Sequence, residues 1–159
     1  MDVEIRIQET PLDALAEIAP VYAGRPTVGG VVSFIGLMRE MNQGDAVSGM
    51  TLEHYPGMTE KALVTIVGEA GERWSIDAVR VIHRVGALEP QDPIVLVAVA
   101  SAHRGEAFRA CEFIIDYLKT RAPFWKREQT VDGKSRWVEA RESDEDAAAA
   151  WRDGADTPS

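Results

Sequence analysis

A short cationic segment late in the chain carries the residues best suited to chemistry. Between Lys119 and Arg127 the sequence KTRAPFWKR holds four cations and no acid, although the whole chain has a formal net charge of −9. One interpretation is structural, because the negative end of a helix dipole attracts Lys and Arg. It accounts well for Lys119 and Arg121, but less naturally for Lys126, which follows the helix break forced by Pro123. The other is an anion pocket in which burial and neighbouring cations lower the pKa of one lysine, giving a base or nucleophile near neutral pH.

Further cationic positions lie where elements of secondary structure are expected to begin or end. His103 and Arg104 fall where a buried strand turns into a helix, and the free N–H groups of a helix N-terminus can bind a phosphate. An equally open alternative is that His103 caps the helix while Arg104 is solvated. Arg39 ends a strand before a polar loop, a place where arginines are usually solvated, and Arg141 follows a hairpin. Neither arginine is distinctive by itself.

Several familiar chemistries are disfavoured. The tripeptide from Gly133 to Ser135 resembles the end of a phosphate-binding P-loop, but Glu128 stands where that motif needs a glycine. Cys111 falls on the apolar stripe of a helix, which indicates a small buried hydrophobe rather than a nucleophile. No metal site is expected, because paired ligand spacing is missing among the three histidines, His54, His83 and His103.

Composition limits the class of protein. A chain of 159 residues fits one domain with a genuine core. The 17 Lys and Arg against 26 Asp and Glu argue against general binding to nucleic acid or to an anionic membrane. A single cysteine excludes an internal disulfide framework. No apolar run reaches the roughly 18 residues of a membrane span, and no signal sequence is recognised, so a cytoplasmic protein is expected.

The acidic charge is uneven along the chain. Residues 144–159 hold five acids and one arginine. We therefore predict a single domain over residues 1–143, followed by a flexible acidic tail over residues 144–159.

Hydrophobic periodicity predicts strands with interspersed helices. Alternating apolar and polar residues over 3–8 predict a half-buried strand, and Thr10-Pro11 predicts the start of a helix that runs to about Ile18. Thr59 is expected to cap a second helix. The continuous apolar run from Ile94 to Ala100 predicts a strand buried on both faces.

The C-terminal third of this pattern is one helix and one hairpin. The helix begins at His103 or Arg104, ends before Pro123, and is expected to bury Phe108, Cys111, Ile115 and Leu118. A turn at Asp132-Gly133 predicts the hairpin that follows. Together these elements favour the α+β class.

Four longer segments match one family. They are LEHYPGMTEKAL at 52–63, SAHR at 101–104, DYLKTRAPFWKRE at 116–128 and RWVEARESD at 136–144. They closely resemble the catalytic, large subunit of molybdopterin synthase, and the segment at 119–128 is unusual enough to be highly specific. The likeness covers about residues 28–145.

The resemblance implies a fold, a reaction and partners. The fold is an α/β hammerhead-type fold with an additional antiparallel β subdomain, working as a homodimer. Each large subunit binds one small ubiquitin-like sulfur-carrier subunit, which gives a heterotetramer. The carrier's C-terminal Gly-Gly thiocarboxylate passes two sulfurs to cyclic pyranopterin monophosphate and forms the dithiolene of molybdopterin. No metal or cofactor is implied for this subunit.

The same resemblance implies roles for individual residues. Catalysis depends most on Lys119, and Lys126 lines the same pocket. Pocket positions are also matched by Arg39, His103 and Arg104, while Arg141 matches an arginine contributed across the dimer interface. The alternative from another class is a non-catalytic module that binds a ubiquitin-like tail or a pterin without turnover.

Overall fold

The computed structural model describes residues 1–42, 45–138 and 142–152, and in these residues it has nine strands and four helices. The strands are β1 (Asp2–Gln8), β2 (Gly30–Leu37), β3 (Met41–Asn42), β4 (Asp45–His54), β5 (Ala78–Arg84), β6 (Gly86–Leu88), β7 (Pro93–Ser101), β8 (Phe124–Thr130) and β9 (Ser135–Val138). The helices are α1 (Ala14–Tyr22), α2 (Met58–Arg73), α3 (Arg104–Arg121) and α4 (Glu142–Arg152). None of these four helices is long and apolar enough to cross a membrane.

Four strands form the core sheet, in the order β1-β5-β7-β2. β1 runs parallel to β5, whereas β7 is antiparallel to both β5 and β2. Along β7, alternate side chains pack against α2 and α3 on one face and against α1 on the other. Every residue from Val95 to Ala100 is at most 1% exposed. This confirms the predicted strand buried on both faces.

The remaining strands form a second, antiparallel sheet. Its order is β3-β4-β8-β9, and β6 also pairs with β4. Leu52 lies opposite Lys126 and Met50 lies opposite Glu128 in the pairing of β4 with β8. Leu52 and Met50 are buried in a small apolar cluster with Leu88. The two sheets and four helices confirm the α+β class and the additional antiparallel β subdomain.

The helix α3 has the predicted bounds but not the full predicted stripe. It begins after His103 and ends at Arg121, two residues before Pro123. The expectation that Phe108 is buried is wrong, because its side chain is 59% exposed. The stripe lies about one residue further round the helix, and its buried members are Ala107, Ala110, Cys111, Phe113, Ile114, Tyr117 and Leu118.

The acidic C-terminal segment departs from the expected flexible tail. Residues 142–152 form α4, in which Ala148 and Trp151 are buried. Trp151 Nε1 donates to Asp116 Oδ2 at 2.7 Å, and the indole ring packs edge-on against Trp74 and Phe113. Spacing of three residues places Ala148 and Trp151 on one helix face, so the solvated acids lie elsewhere on the same helix. Residues 153–159 lie outside the described residues.

The first two helices begin at other caps than the sequence predicts. Asp13 caps α1 by accepting from the Ala16 N–H at 3.3 Å, so the predicted start at Thr10-Pro11 is wrong. Gly57, at a φ of 86°, is the N-cap of α2. Thr59 instead accepts from the Tyr55 N–H at 3.1 Å and donates to the carbonyl before β8, that of Pro123, at 3.0 Å. The hydroxyl thereby fixes the start of β8 against α2.

Candidate active site: a lysine pair between α3 and β8

Lys119 and Lys126, the lysine pair, are brought together where the chain passes from α3 into β8. Lys119 lies in the last turn of α3, and Lys126 is the third residue of β8. The two amino groups lie close enough for a hydrogen bond between them to act on the pKa of Lys119. The structure therefore brings together the two lysines predicted to be catalytic.

The pKa of Lys126 is strongly lowered. Burial, followed by the positive charge of Lys119, lowers its pKa to about 8. Arg39 acts in the same direction, whereas the carboxylates of Asp144 and Glu128 oppose it. An amine with a pKa near 8 exists in both protonation states around neutral pH and can donate or accept a proton.

Lys119 is similarly placed but more open to solvent. Burial lowers its pKa most, and Arg39 adds to the effect. Asp144 and the hydrogen bond with Lys126 oppose the change. Lys119 is exposed, whereas Lys126 is half-buried. The pair is thus accessible to a solute rather than sealed in the core.

Arg39 joins the pair from the end of β2. Its charge lowers the pKa of both lysines, which places the guanidinium near both amines. Arg39 also lines a cavity of about 500 Å³ together with Leu37, Met38, Glu40, Pro90 and Gln91. Three cationic side chains in this region have the chemistry that suits an anion, because guanidinium and ammonium groups form charge-assisted hydrogen bonds to phosphate and carboxylate.

Two carboxylates near the lysine pair are not among the site residues that the sequence predicts. Glu128 is 4% exposed and lies two residues after Lys126, on the same face of β8. Asp144 reaches the pair from α4. The strand period could have indicated Glu128. Asp144 could not be identified from the sequence, because its position near the lysines depends on the packing of α4. The acidic composition of this segment predicts a tail rather than a packed helix.

The cationic segment divides between two surfaces. Arg121, at the end of α3, pairs with Glu69 on α2 at 2.9 Å, and its guanidinium packs on the Tyr117 ring. Arg127 alternates with Lys126 on β8 and faces the opposite side of the second sheet. The two interpretations of this segment therefore apply to different residues: Arg121 suits the helix-end account, and the lysine pair suits the pocket.

Two histidines lie closer together than their sequence separation suggests. His83 stacks on Phe124 with ring centroids 3.9 Å apart, and His54 contacts the same ring at 6.4 Å. His54 Nε2 also pairs with Glu60 at 3.3 Å. Within the described part of the chain, no three His, Cys, Asp or Glu side chains are grouped so as to hold a metal ion.

The remaining predicted residues are not assembled with the pair inside one chain. His103 and Arg104 are exposed at the other end of α3, and His103 occupies the N-cap without a side-chain capping bond. Fifteen residues of helix separate Arg104 from Lys119, a rise of about 22 Å. Arg141 lies outside the described residues.

Cys111 has the environment of a buried apolar residue. It is 4% exposed, and Sγ lies 3.7 Å from the Val97 carbonyl oxygen. Burial raises the pKa of the thiol to about 12. The reactive thiolate is thus suppressed at neutral pH, which confirms the prediction of a small buried hydrophobe.

Comparison with known proteins assigns the family. The family model described as MoaE protein matches residues 7–121. The molybdopterin synthase catalytic subunit of Ralstonia nicotianae is 63% identical over 147 residues, which cover 92% of this chain and 83% of the relative. That of Escherichia coli is 59% identical over 138 residues, 87% of this chain and 91% of the relative.

A solved structure agrees with these sequences. The molybdopterin biosynthesis MoaE protein from Burkholderia ambifaria is 51% identical and superposes with a TM-score of 0.80, covering 96% of this chain and 99% of that one. With sequence and fold in agreement, this chain belongs to the MoaE family, and its relatives from Ralstonia nicotianae and Escherichia coli are named as catalytic subunits of molybdopterin synthase.

Proposed function

We propose that this chain transfers sulfur from the thiocarboxylated C-terminal Gly-Gly of a small ubiquitin-like carrier to cyclic pyranopterin monophosphate, forming the dithiolene of molybdopterin. Its relatives are named as catalytic subunits of molybdopterin synthase, and a subunit implies at least one further chain in that enzyme. In this chain, the observation that carries the proposal is the lysine pair beside Arg39, with a pKa of about 8 for Lys126.

The charges of the site suit both reactants. The pterin substrate carries a cyclic phosphate and the carrier tail a thiocarboxylate, so both are anions. Arg39 offers a guanidinium fork that matches the two oxygens of a phosphate, while the ammonium of Lys119 offers a mobile point charge. The anionic group of each reactant is small. A local cluster of cations can therefore bind it although the whole chain has a net charge of −9.

The chemistry required of the protein is positioning and proton transfer. The sulfur arrives already activated, so no cysteine nucleophile is needed, in keeping with the buried Cys111. At each of two side-chain carbons of the pterin, a thiocarboxylate sulfur forms a C–S bond while a C–O bond to that carbon breaks, and the oxygen leaves as the opened phosphate or, once protonated, as water. Water then cleaves the bond between that sulfur and the carrier's acyl carbon, which leaves a carboxylate on the carrier and a thiol on the pterin. Lys119 supplies proton transfer or charge stabilisation during attack, and Lys126 holds the tail carboxylate or the developing negative charge.

A second copy of the chain is needed if His103 and Arg104 bind the same substrate. The length of α3 separates them from Lys119 by about 22 Å in one chain. Exposed apolar side chains on α3 and on the edge strand β2 support a homodimer. Phe108 on α3 is 59% exposed, and Phe34 on β2 is 39% exposed. In that dimer, His103, Arg104 and Arg141 of one subunit contribute to the lysine site of the other.

Reconstitution tests the proposal directly. The full chain is mixed with a thiocarboxylated carrier and cyclic pyranopterin monophosphate, and the dithiolene product is measured in a single turnover. We expect product from the wild type and a strongly reduced rate from folded Lys119→Ala and Lys126→Ala proteins. Lys134→Ala is the matched control, because this lysine is exposed near the tip of the β8–β9 hairpin.

The same assay separates the enzyme from a binding module. Binding of carrier and pterin without product from the wild type would support the non-catalytic alternative. Near-wild-type rates in both lysine variants would overturn the catalytic role of the pair while leaving the reaction itself intact.

A further inference from the structure

His83 is a buried imidazole that the proposed reaction does not yet use. It is 4% exposed and lies in β5, between Ile7 of β1 and Val95 of β7. Along β5 it shares a face with Val79 and Val81, which pack under α2 and α3. The ring is therefore on the side of the core sheet where α3 ends in Lys119.

The hydrogen bond of His83 fixes one tautomer. Nδ1 lies 2.8 Å from the Arg84 carbonyl oxygen, which accepts only, so Nδ1 carries the proton and donates. In a neutral ring Nε2 is then an acceptor. Nothing in the described part of the chain hydrogen-bonds to Nε2, and a buried ring nitrogen without a partner is unfavourable.

Phe124 connects the ring to the lysine pair. The His83 and Phe124 rings are nearly parallel, at 17°, with centroids 3.9 Å apart. Phe124 and Lys126 are two residues apart on β8, so their side chains share one face of the strand. Lys119 and Lys126 both lie close enough for their charges to act on the imidazole.

We propose that Nε2 of His83 accepts a hydrogen bond from a water molecule that is in turn bound by the lysine pair, and so positions the amines for the reaction. His83 is then a positioning residue and not a group that touches substrate. This inference rests on the proposed function only for its consequence in catalysis. The hydrogen bond itself is a property of the folded chain.

The charges around the ring keep it neutral at working pH. Burial lowers the pKa of His83 to about 3, and electrostatic interactions with Lys119, Lys126 and His54 act in the same direction, whereas the hydrogen bond to the Arg84 carbonyl opposes them. The neighbouring strands β1 and β7 present apolar Ile7 and Val95. The groups that act on the lysines themselves are Arg39, Asp144 and Glu128. A ring that stays neutral is a permanent acceptor rather than a proton carrier.

Three substitutions separate the acceptor from the bulk of the ring. His83→Phe keeps the stacking surface and removes both nitrogens. His83→Asn places an amide N–H where Nδ1 stands, so the bond to the Arg84 carbonyl is kept and the distal acceptor is lost. His83→Gln extends an amide oxygen to the distal position, so an acceptor is kept.

The readout is the pKa of each lysine, measured by NMR titration of the full chain labelled at lysine Cε. The chain has four lysines, and the exposed Lys61 and Lys134 serve as internal references. In His83→Phe and His83→Asn we expect the pKa of at least one member of the pair to fall by about one pH unit, because the water bound by an ammonium loses its acceptor. In His83→Gln it returns towards the wild-type value.

Two outcomes would overturn the proposal. One is an unchanged lysine pKa in the Phe and Asn variants. The other is an equal fall in all three variants, which indicates packing alone. If His83→Phe does not fold, the contrast between Asn and Gln still decides. Since no turnover is needed, failure of the reconstituted sulfur transfer would reject the proposed function without touching this result.

Discussion

The two ends of α3 carry cations in opposite environments. At the N-terminal end His103 and Arg104 are exposed, whereas at the C-terminal end Lys119 meets Lys126 in a crowded site that lowers the pKa of both lysines. Solvent screens exposed charges and leaves them suited to recognising anions. Desolvation brings a lysine towards its neutral form, which suits proton transfer. Crowding at the lysine pair, where Lys119 itself keeps exposed surface, thus separates acid–base chemistry from binding along a single helix.

The largest expected contrast is between Lys119→Ala and Arg104→Ala. Removing a general acid or base costs about 10²–10⁴-fold in rate, so Lys119→Ala should lower the single-turnover rate constant by that amount. Arg104→Ala should instead raise the pterin concentration needed for half saturation about tenfold, as expected for one charge-assisted hydrogen bond. Single-turnover rates over a range of pterin concentrations measure both. An equal loss of rate constant in the two variants would remove the distinction between the ends.

Mixing these two variants tests whether both ends serve one site. In a dimer with one Lys119→Ala chain and one Arg104→Ala chain, one shared site has both defects and the other has none. After unfolding and refolding an equimolar mixture, random pairing should recover about a quarter of the wild-type activity, measured at a pterin concentration where each variant alone is nearly inactive. No recovery, with mixed dimers demonstrated, would mean that each chain uses only its own residues.

A third prediction concerns stability. The pKa of Lys126 is about 8 in the folded chain, below its ordinary value of 10.5. Between these values the unfolded chain binds more protons, so this lysine makes the folded state less stable below pH 8, and the deficit disappears as the pH rises towards 10.5. Lys126→Met should therefore raise the free energy of unfolding at pH 7 by about 1–2 kcal/mol, allowing for partial solvent screening, and by less at pH 10.

Urea unfolding at the two pH values measures this effect. Arg104→Met is the matched control, because a surface substitution changes stability by less than about 0.5 kcal/mol. A destabilised Lys126→Met protein at pH 7, or a gain that does not depend on pH, would contradict the view that the site holds a poorly solvated charge.

These contrasts also explain what the sequence could predict. The bounds of α3 and the burial of β7 follow from local signals, namely a proline after the helix and a continuous apolar run. The predicted start of α1 at Thr10-Pro11 is wrong because a residue type that can cap a helix does not establish that it does so, and Asp13 is the side chain that accepts from the Ala16 N–H. The sequence does not predict α4, because its acidic residues outnumber Ala148 and Trp151, the two buried residues that pack it against the core.

The candidate site divides in the same way. The sequence predicts Lys119, Lys126 and Arg39, which lie together, but it does not indicate Glu128, Asp144 or His83 as members of the site. Their approach to the pair depends on long-range contacts: the pairing of β8 with β4, the packing of α4 on α3, and the stacking of His83 on Phe124. Residue type and spacing identify a group that can do chemistry. They do not identify the neighbours that tune it.

The smallest expected effect comes from removing the charge of Asp144. This residue lies near the C-terminal end of α3 and not near its N-terminal end. Its carboxylate raises the pKa of both lysines and also that of Asp116. Asp144→Asn should therefore lower the pKa of Lys126 by about 0.5 pH unit, a size typical of one partly solvated charge, in the same lysine NMR titration. Glu145→Gln is the matched control, since this neighbouring acid on α4 is exposed. A similar fall in both variants would indicate a diffuse field from the acidic helix, whereas a fall in Asp144→Asn alone means that α4 is part of the site and sets the proton affinity of its lysines.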